Sequence, residues 1–104
     1  MSTYPQALDK QTEINAVVSD ILREMAPEVV RIRFDIHEDW TGAPGAFFRI
    51  LLSDELDRKR FHEVATRVRD TLWERVDFLG MGLFPYENFR REGEQAVMKE
   101  KNRE

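Results

Sequence analysis

The spacing of apolar residues predicts two long helices. From residue 3 to residue 26, apolar side chains recur every three or four positions, the period of an amphipathic helix. Thr3 is the expected N-cap, and the helix should end before Pro27. Residues 53–80 repeat the pattern, with a capping residue at the start and Gly80 as the terminator. The buried stripe of this second helix is predicted to be Phe61, Val64, Ala65, Val68, Leu72, Val76 and Leu79.

Strict alternation of apolar and polar residues predicts two strands between the helices. The first is EVVRIRFDIH, at 28–37, and the second is AFFRILLS, at 46–53. The Gly- and Pro-rich segment DWTGAPG joins them as a hairpin turn. The predicted core-facing residues are Val30, Ile32, Phe34, Ile36, Ala46, Phe48, Ile50 and Leu52. The predicted off-core residues are Arg31, Arg33, Asp35, His37, Phe47, Arg49 and Leu51.

The segment MGLFPYENFRR, at 81–91, is rich in aromatic residues but contains Gly82 and Pro85. It predicts a third strand at an edge of the sheet, broken near Pro85. The element order α-β-β-α-(β) predicts an α+β fold, a two-layer sandwich with two helices on one face of a small antiparallel sheet. Residues 1–91 form the predicted single domain, and residues 92–104 a charged C-terminal tail.

Composition narrows the function mainly by exclusion. The chain has 104 residues, enough for one domain with one core. Twenty acidic and 16 basic residues give a net charge of −4, which argues against general nucleic-acid binding. The absence of cysteine excludes disulfides and thiolate chemistry. No apolar run is long enough for a membrane span, and no motif predicts a cofactor, so we expect a cytoplasmic protein without membrane contact.

One polar cluster offers candidate chemistry. Asp35 and His37 are two residues apart on a predicted strand and therefore share a face, and Glu38 follows them. An imidazole with one or two carboxylates can bind a divalent cation or transfer protons. The alternative is an ordinary polar strand face, on which Arg31 and Arg33 attract Asp35. The cluster predicts a small ligand- or metal-binding protein, or an enzyme, as the second choice of function.

The second helix offers a third candidate, a nucleic-acid surface. Its basic residues are Arg58, Lys59, Arg60, Arg67, Arg69 and Arg75. Acidic residues alternate with them along the same helix, so solvated ion pairs are the simpler interpretation. We therefore rank nucleic-acid binding below the other two functions.

The apolar surplus on the off-core face favours protein–protein contact as the leading function. Small sheets have exposed edges, and aromatic and arginine side chains are enriched in interfaces. The predicted contact residues are Arg31, Arg33, Trp40, Phe47, Arg49, Leu51 and Tyr86. The leading interpretation is a non-enzymatic interaction module that forms a homodimer or binds another protein, such as an adaptor or an antitoxin-like regulator.

Overall fold

A computed structural model describes the backbone of residues 4–94 and the side chains of residues 10–94. The predicted cap Thr3 and most of the predicted tail lie outside the described residues. The elements are α1 (Tyr4–Glu24), β1 (Val29–Glu38), β2 (Pro44–Leu52), α2 (Arg58–Arg75), α3 (Phe78–Met81) and β3 (Phe84–Arg91). The two-layer α+β architecture and the third strand are thereby confirmed.

The three strands form one sheet in the order β1-β2-β3. β1 and β2 are antiparallel, with Phe34 opposite Phe48, as the hairpin predicts. β3 runs parallel to β2, with Phe47 opposite Tyr86, so the sheet is mixed and not wholly antiparallel. The reason is the connection: α2 carries the chain back across the sheet, and a helical crossover joins parallel strands. Pro85 lies within β3 without breaking it, as an edge strand allows.

The core lies between one face of the sheet and the helices. The inward residues of β2, which are Ala46, Phe48, Ile50 and Leu52, are between 0% and 1% exposed. They belong to one buried cluster with Ile14 and Ile21 of α1 and Val68 and Leu72 of α2. The predicted inner face of the second strand is therefore confirmed residue by residue.

The start of β1 departs from strict alternation. The register shifts between Val29 and Arg31, which is a β-bulge or a comparable irregularity. As a result Val29 is 2% exposed and belongs to the core, whereas Val30 is 41% exposed. The prediction for Val30 is wrong because the shift moves its side chain away from the core. After the shift, Ile32 is buried, and Phe34 and Ile36 are half-buried against the core.

The second helix is shorter than predicted. α2 begins after Asp57, whose side chain accepts a hydrogen bond from the Arg60 backbone N–H, and it ends at Arg75. A separate short helix, α3, follows, and Gly82 ends it with φ of 70°. This break rotates the last apolar residues. Phe78 is 2% exposed, and Leu79, which a continuous helix places in the core, is 85% exposed.

Two arginines of α2 connect it to the segment around the first helix. Arg60 donates two hydrogen bonds to the Glu28 carboxylate, at 2.7 and 2.9 Å. Arg75 donates two to Glu24, both at 2.9 Å. These hydrogen bonds lower the pKa of both carboxyls, because they favour the charged form. Part of the basic charge of α2 is therefore engaged within the fold.

Truncating Phe48 should destabilise the protein strongly, because its ring fills the centre of the core. We expect Phe48→Ala to lower the free energy of unfolding by about 3–5 kcal/mol in urea denaturation. Phe84→Ala is the matched control, since Phe84 is 54% exposed. Equal losses for the two variants contradict this assignment of the core.

Candidate functional site

The sheet face that points away from the helices, here called the outer face, carries the polar and aromatic candidates in four rows. Across β1, β2 and β3 the rows are Arg31, Leu51 and Arg90; Arg33, Arg49 and Asn88; Asp35, Phe47 and Tyr86; and His37, Gly45 and Phe84. The first two rows form a basic half. The last two rows form a half that is aromatic and acidic and also contains the imidazole.

His37 belongs to a stack of three rings. Its ring centroid is 4.0 Å from that of Phe47, with the rings 1° from parallel. Phe47 stacks in turn on Tyr86, at 4.7 Å and 13°. Gly45 leaves room for this stack, because a Cβ there would lie 2.9 Å from Phe47 Cε1 and 3.1 Å from Tyr86 Cε2. The stack fixes the plane of the imidazole on an otherwise exposed face.

The backbone carbonyl of Glu38 sets the tautomer of the neutral His37 ring. His37 Nδ1 lies 2.8 Å from the backbone carbonyl oxygen of Glu38. A carbonyl oxygen can only accept a hydrogen bond, so Nδ1 is the donor. In the neutral ring, Nε2 then keeps its lone pair and is the nitrogen able to bind a cation. A backbone carbonyl on the other nitrogen is a common way to orient a metal-binding histidine.

The three residues of the predicted cluster do not converge. Glu38 lies in β1 and not in the turn, so strand alternation directs its side chain to the opposite face from His37. Asp35 shares the outer face with His37, but its carboxylate accepts a hydrogen bond from Arg49 at 2.9 Å. Of the three predicted residues, Asp35 and His37 share the outer face, and Glu38 contributes only its backbone carbonyl, which contacts the His37 ring.

Asp39, the next acidic residue, organises the turn. Its Oδ1 accepts hydrogen bonds from the backbone N–H groups of Thr41 and Ala43 and from the Thr41 hydroxyl. Its Oδ2 accepts one from the Tyr86 hydroxyl at 2.8 Å. The Thr41 and Tyr86 hydroxyls and the turn N–H groups lower the pKa of Asp39 from 3.8 to about 2, and the same contact raises the pKa of Tyr86. Asp39 thus links the hairpin turn to β3.

A metal ion requires more ligands than one chain brings together here. Among the residues that the structure describes, no three His, Asp or Glu side chains are grouped to hold a metal ion. His37 supplies one oriented nitrogen, and Asp35 supplies a carboxylate that is already paired with Arg49. One chain therefore does not provide a closed metal site within residues 10–94.

The predicted contact residues occupy the same surface. The strand residues Arg31, Arg33, Phe47, Arg49, Leu51 and Tyr86 all belong to the outer face. Trp40 lies in the turn, is 81% exposed, and has its ring 5.5 Å from that of Tyr86. That these residues bind a partner stays a prediction.

Three further residues of the face were missed by sequence reasoning. Phe84, Asn88 and Arg90 project from β3 with Tyr86, two residues apart each time. Their alternation was present in the sequence, but the direction and the register of the third strand were not. Parallel pairing with β2 is what places Arg90 beside Leu51 and Asn88 beside Arg49.

Comparison with known proteins gives a fold and no family. No protein-family model and no curated protein matches the chain. A solved structure of the metal-bound C-terminal domain of the CzcD transporter from Thermotoga maritima aligns with a TM-score of 0.55 and 20% identity, over 89% of this chain and 96% of that one. A copper form of a MamM C-terminal domain aligns with a TM-score of 0.42 and 16% identity, over 81% and 98%. The chain has the α-β-β-α-β ferredoxin-like fold.

This comparison corrects the leading interpretation of the sequence. One solved structure that shares the fold is a metal-bound domain of a transporter, and this finding contradicts the leading interpretation of an interaction module such as an adaptor or an antitoxin-like regulator. The metal-bound state of that domain agrees better with the alternative interpretation, a ligand- or metal-binding protein, and the assignment of Asp35, His37 and Glu38 to such a site stays a prediction. Within residues 4–94, no helix is both long and apolar enough to cross a membrane.

Removing the Asp39 carboxylate should weaken the protein and flatten its acid response. A carboxyl whose pKa is lowered on folding stabilises the folded state above its unfolded pKa. That contribution is lost as the pH falls from about 4 through about 2. We therefore expect Asp39→Ala to lower the melting temperature at pH 7, and the difference from wild type to shrink below pH 3. Asp70→Ala is the matched control, because Asp70 is an exposed aspartate of α2. A constant Asp39 difference across this range contradicts the assignment.

Proposed function

We propose that this chain is a metal-binding or metal-sensing module with His37 as its principal ligand. The observation that carries the proposal is the orientation of the His37 ring, whose Nδ1 is held by the Glu38 carbonyl while Nε2 remains able to bind. The fold it shares with the metal-bound Thermotoga maritima CzcD domain supports the same function. Asp35, one row away on the outer face, is the proposed second ligand.

A second copy of the chain is the proposed source of the remaining ligands. A two-fold interface brings the same surface of each copy together, so two copies supply two imidazoles and two carboxylates. Four such ligands suit a tetrahedral ion such as Zn²⁺. Binding in this way requires Asp35 to exchange its Arg49 partner for the cation. Because Asp35 and Arg49 are both exposed, their ion pair contributes little to the stability of the fold, and breaking it costs little free energy.

The surface beside His37 favours such pairing. Trp40 is 81% exposed and Phe84 is 54% exposed, and both lie at the turn end of the sheet. Large exposed aromatic side chains of this kind are typical of interfaces. A homodimer through this end places the two copies of His37 near the shared boundary. A cytoplasmic location stays a prediction.

Divalent cations should stabilise the protein through His37. We expect Zn²⁺, Ni²⁺ or Co²⁺ to raise the melting temperature of wild type, because a ligand that binds only the folded state stabilises it by mass action. His37→Ala should abolish the rise. His62→Ala is the matched control, since His62 is the only other histidine and lies exposed on α2. No rise in wild type, or an equal rise in His37→Ala, contradicts the proposal.

The metal should also shift the oligomeric state. In sedimentation velocity, we expect a larger dimer fraction with the cation than with chelator, because each copy completes the other's site. Trp40→Ser should reduce the dimer fraction by removing an exposed aromatic contact. Val30→Ser, at an exposed apolar position near the start of β1, should leave the dimer fraction unchanged. If the protein stays monomeric at every metal concentration, the site shared by two copies is ruled out. Metal binding by a single chain is tested separately by the melting experiment.

A further inference from the structure

We propose that the basic half of the outer face is a second, separate ligand site, which binds a small molecule through a doubly charged phosphoryl group. The site is a depression of about 90 Å³ beside Leu51, lined by arginines from all three strands. Its polar lining residues are Arg31, Arg33, Arg49, Asn88 and Arg90. The proposal does not rest on the metal site, which lies in the other two rows of the face.

The depression follows from the register of the strands. Leu51 stands between Arg31 and Arg90, one on each neighbouring strand. Neighbouring strands are about 4.8 Å apart, so the backbones of these two arginines are separated by about 10 Å. The shorter leucine forms an apolar floor between two long cationic side chains. A phosphoryl group at this point can accept hydrogen bonds from both sides.

The charge of the depression is poorly balanced within the fold. Arg33 stands directly opposite Arg49, and like charges at opposed positions of a sheet are destabilising. Asp35 pairs with Arg49 at 2.9 Å, but within the described residues neither Arg31 nor Arg33 forms a salt bridge. Among Arg31, Arg33 and Arg49, only Arg49 therefore has a carboxylate partner. A bound anion relieves this repulsion, which is a favourable term that a neutral ligand cannot supply.

The chemistry of arginine and the amount of charge favour a phosphoryl group. Guanidinium groups form paired hydrogen bonds with phosphate and carboxylate oxygens. A phosphomonoester carries about −1.5 to −2 charges at pH 7, whereas a single carboxylate carries one. The small volume admits the phosphoryl group and leaves the rest of the molecule in solvent.

The neighbouring stack of the His37, Phe47 and Tyr86 rings does not extend this site into one for nucleic acid. Proteins that bind single strands stack bases on free faces of aromatic rings. Here His37 and Tyr86 cover both faces of Phe47, at centroid distances of 4.0 and 4.7 Å. The central ring of the stack therefore has no free face on which a base could stack. A small ligand agrees better with this geometry.

Calorimetry and thermal melting with inorganic phosphate test the proposal, at constant ionic strength set with chloride and without added metal. We expect phosphate to bind wild type and raise its melting temperature above that in chloride alone. Arg31→Gln and Arg33→Gln should each weaken phosphate binding about tenfold, as expected for the loss of one charged hydrogen bond. Parallel titrations with glycerol 3-phosphate and pyrophosphate distinguish a monoester from free phosphate and from longer polyanions.

Arg58→Gln is the matched control. It removes the same charge from an exposed position at the start of α2, outside the depression. Arg33→Gln gives a second readout. In chloride it should melt at or above the wild-type temperature, because one opposed charge is gone, and in phosphate this order should reverse.

Several results overturn the proposal. One is equal phosphate binding by wild type, Arg33→Gln and Arg58→Gln, which indicates a general charge effect. Another is no phosphate effect beyond that of chloride. Binding of pyrophosphate or an acidic peptide without phosphate binding assigns the face to a different ligand class. Because His37→Ala should bind phosphate normally, failure of the metal site and failure of the phosphoryl site give different results.

Discussion

The two-sided packing of β2 is the constraint on which the rest of the structure depends. Its inward residues, which include Phe48 and Ile50, are buried against α1 and α2. Its outward residues form the centre of the outer face. A slip of one residue would bury Arg49 and expose Phe48, so burial fixes the register of this strand. Both neighbouring strands hydrogen-bond to β2. The position of every outer-face side chain is therefore set by what the opposite face buries.

The two halves of the outer face differ in the kind of ligand that we propose for them. At the turn end, ring stacking and a backbone carbonyl orient the imidazole that we propose as a cation ligand. At the other end, arginines surround a leucine and favour an anion. The Asp35–Arg49 ion pair lies at the boundary and belongs to both halves. A cation bound by Asp35 would release Arg49 toward the basic half, so the two proposed sites, although lined by different residues, adjoin at this ion pair.

Much of the fold was predictable, and the errors have identifiable causes. Alternation predicted β1, β2 and the inner face of β2, because burial on one side leaves a period of two in the sequence. It missed the register shift after Val29, which depends on backbone pairing. The helical period continued through Val76, so the break that buries Phe78 and exposes Leu79 was not visible. Half of the candidate site was predictable, because the hairpin pairs residues that are close together in the sequence. The outer-face residues of β3 depend instead on how that distant strand pairs with β2.

The parallel pairing of β3 with β2 also has a consequence for folding. The hairpin carries Arg33, Arg49 and His37 through local contacts, which form quickly. Tyr86 and Arg90 join them only after the α2 crossover has closed, because a parallel partner comes from far along the chain. A ligand that contacts all three strands therefore binds only the completed sheet. Ligand binding would therefore report on the pairing of β3 with β2 and not on the hairpin alone.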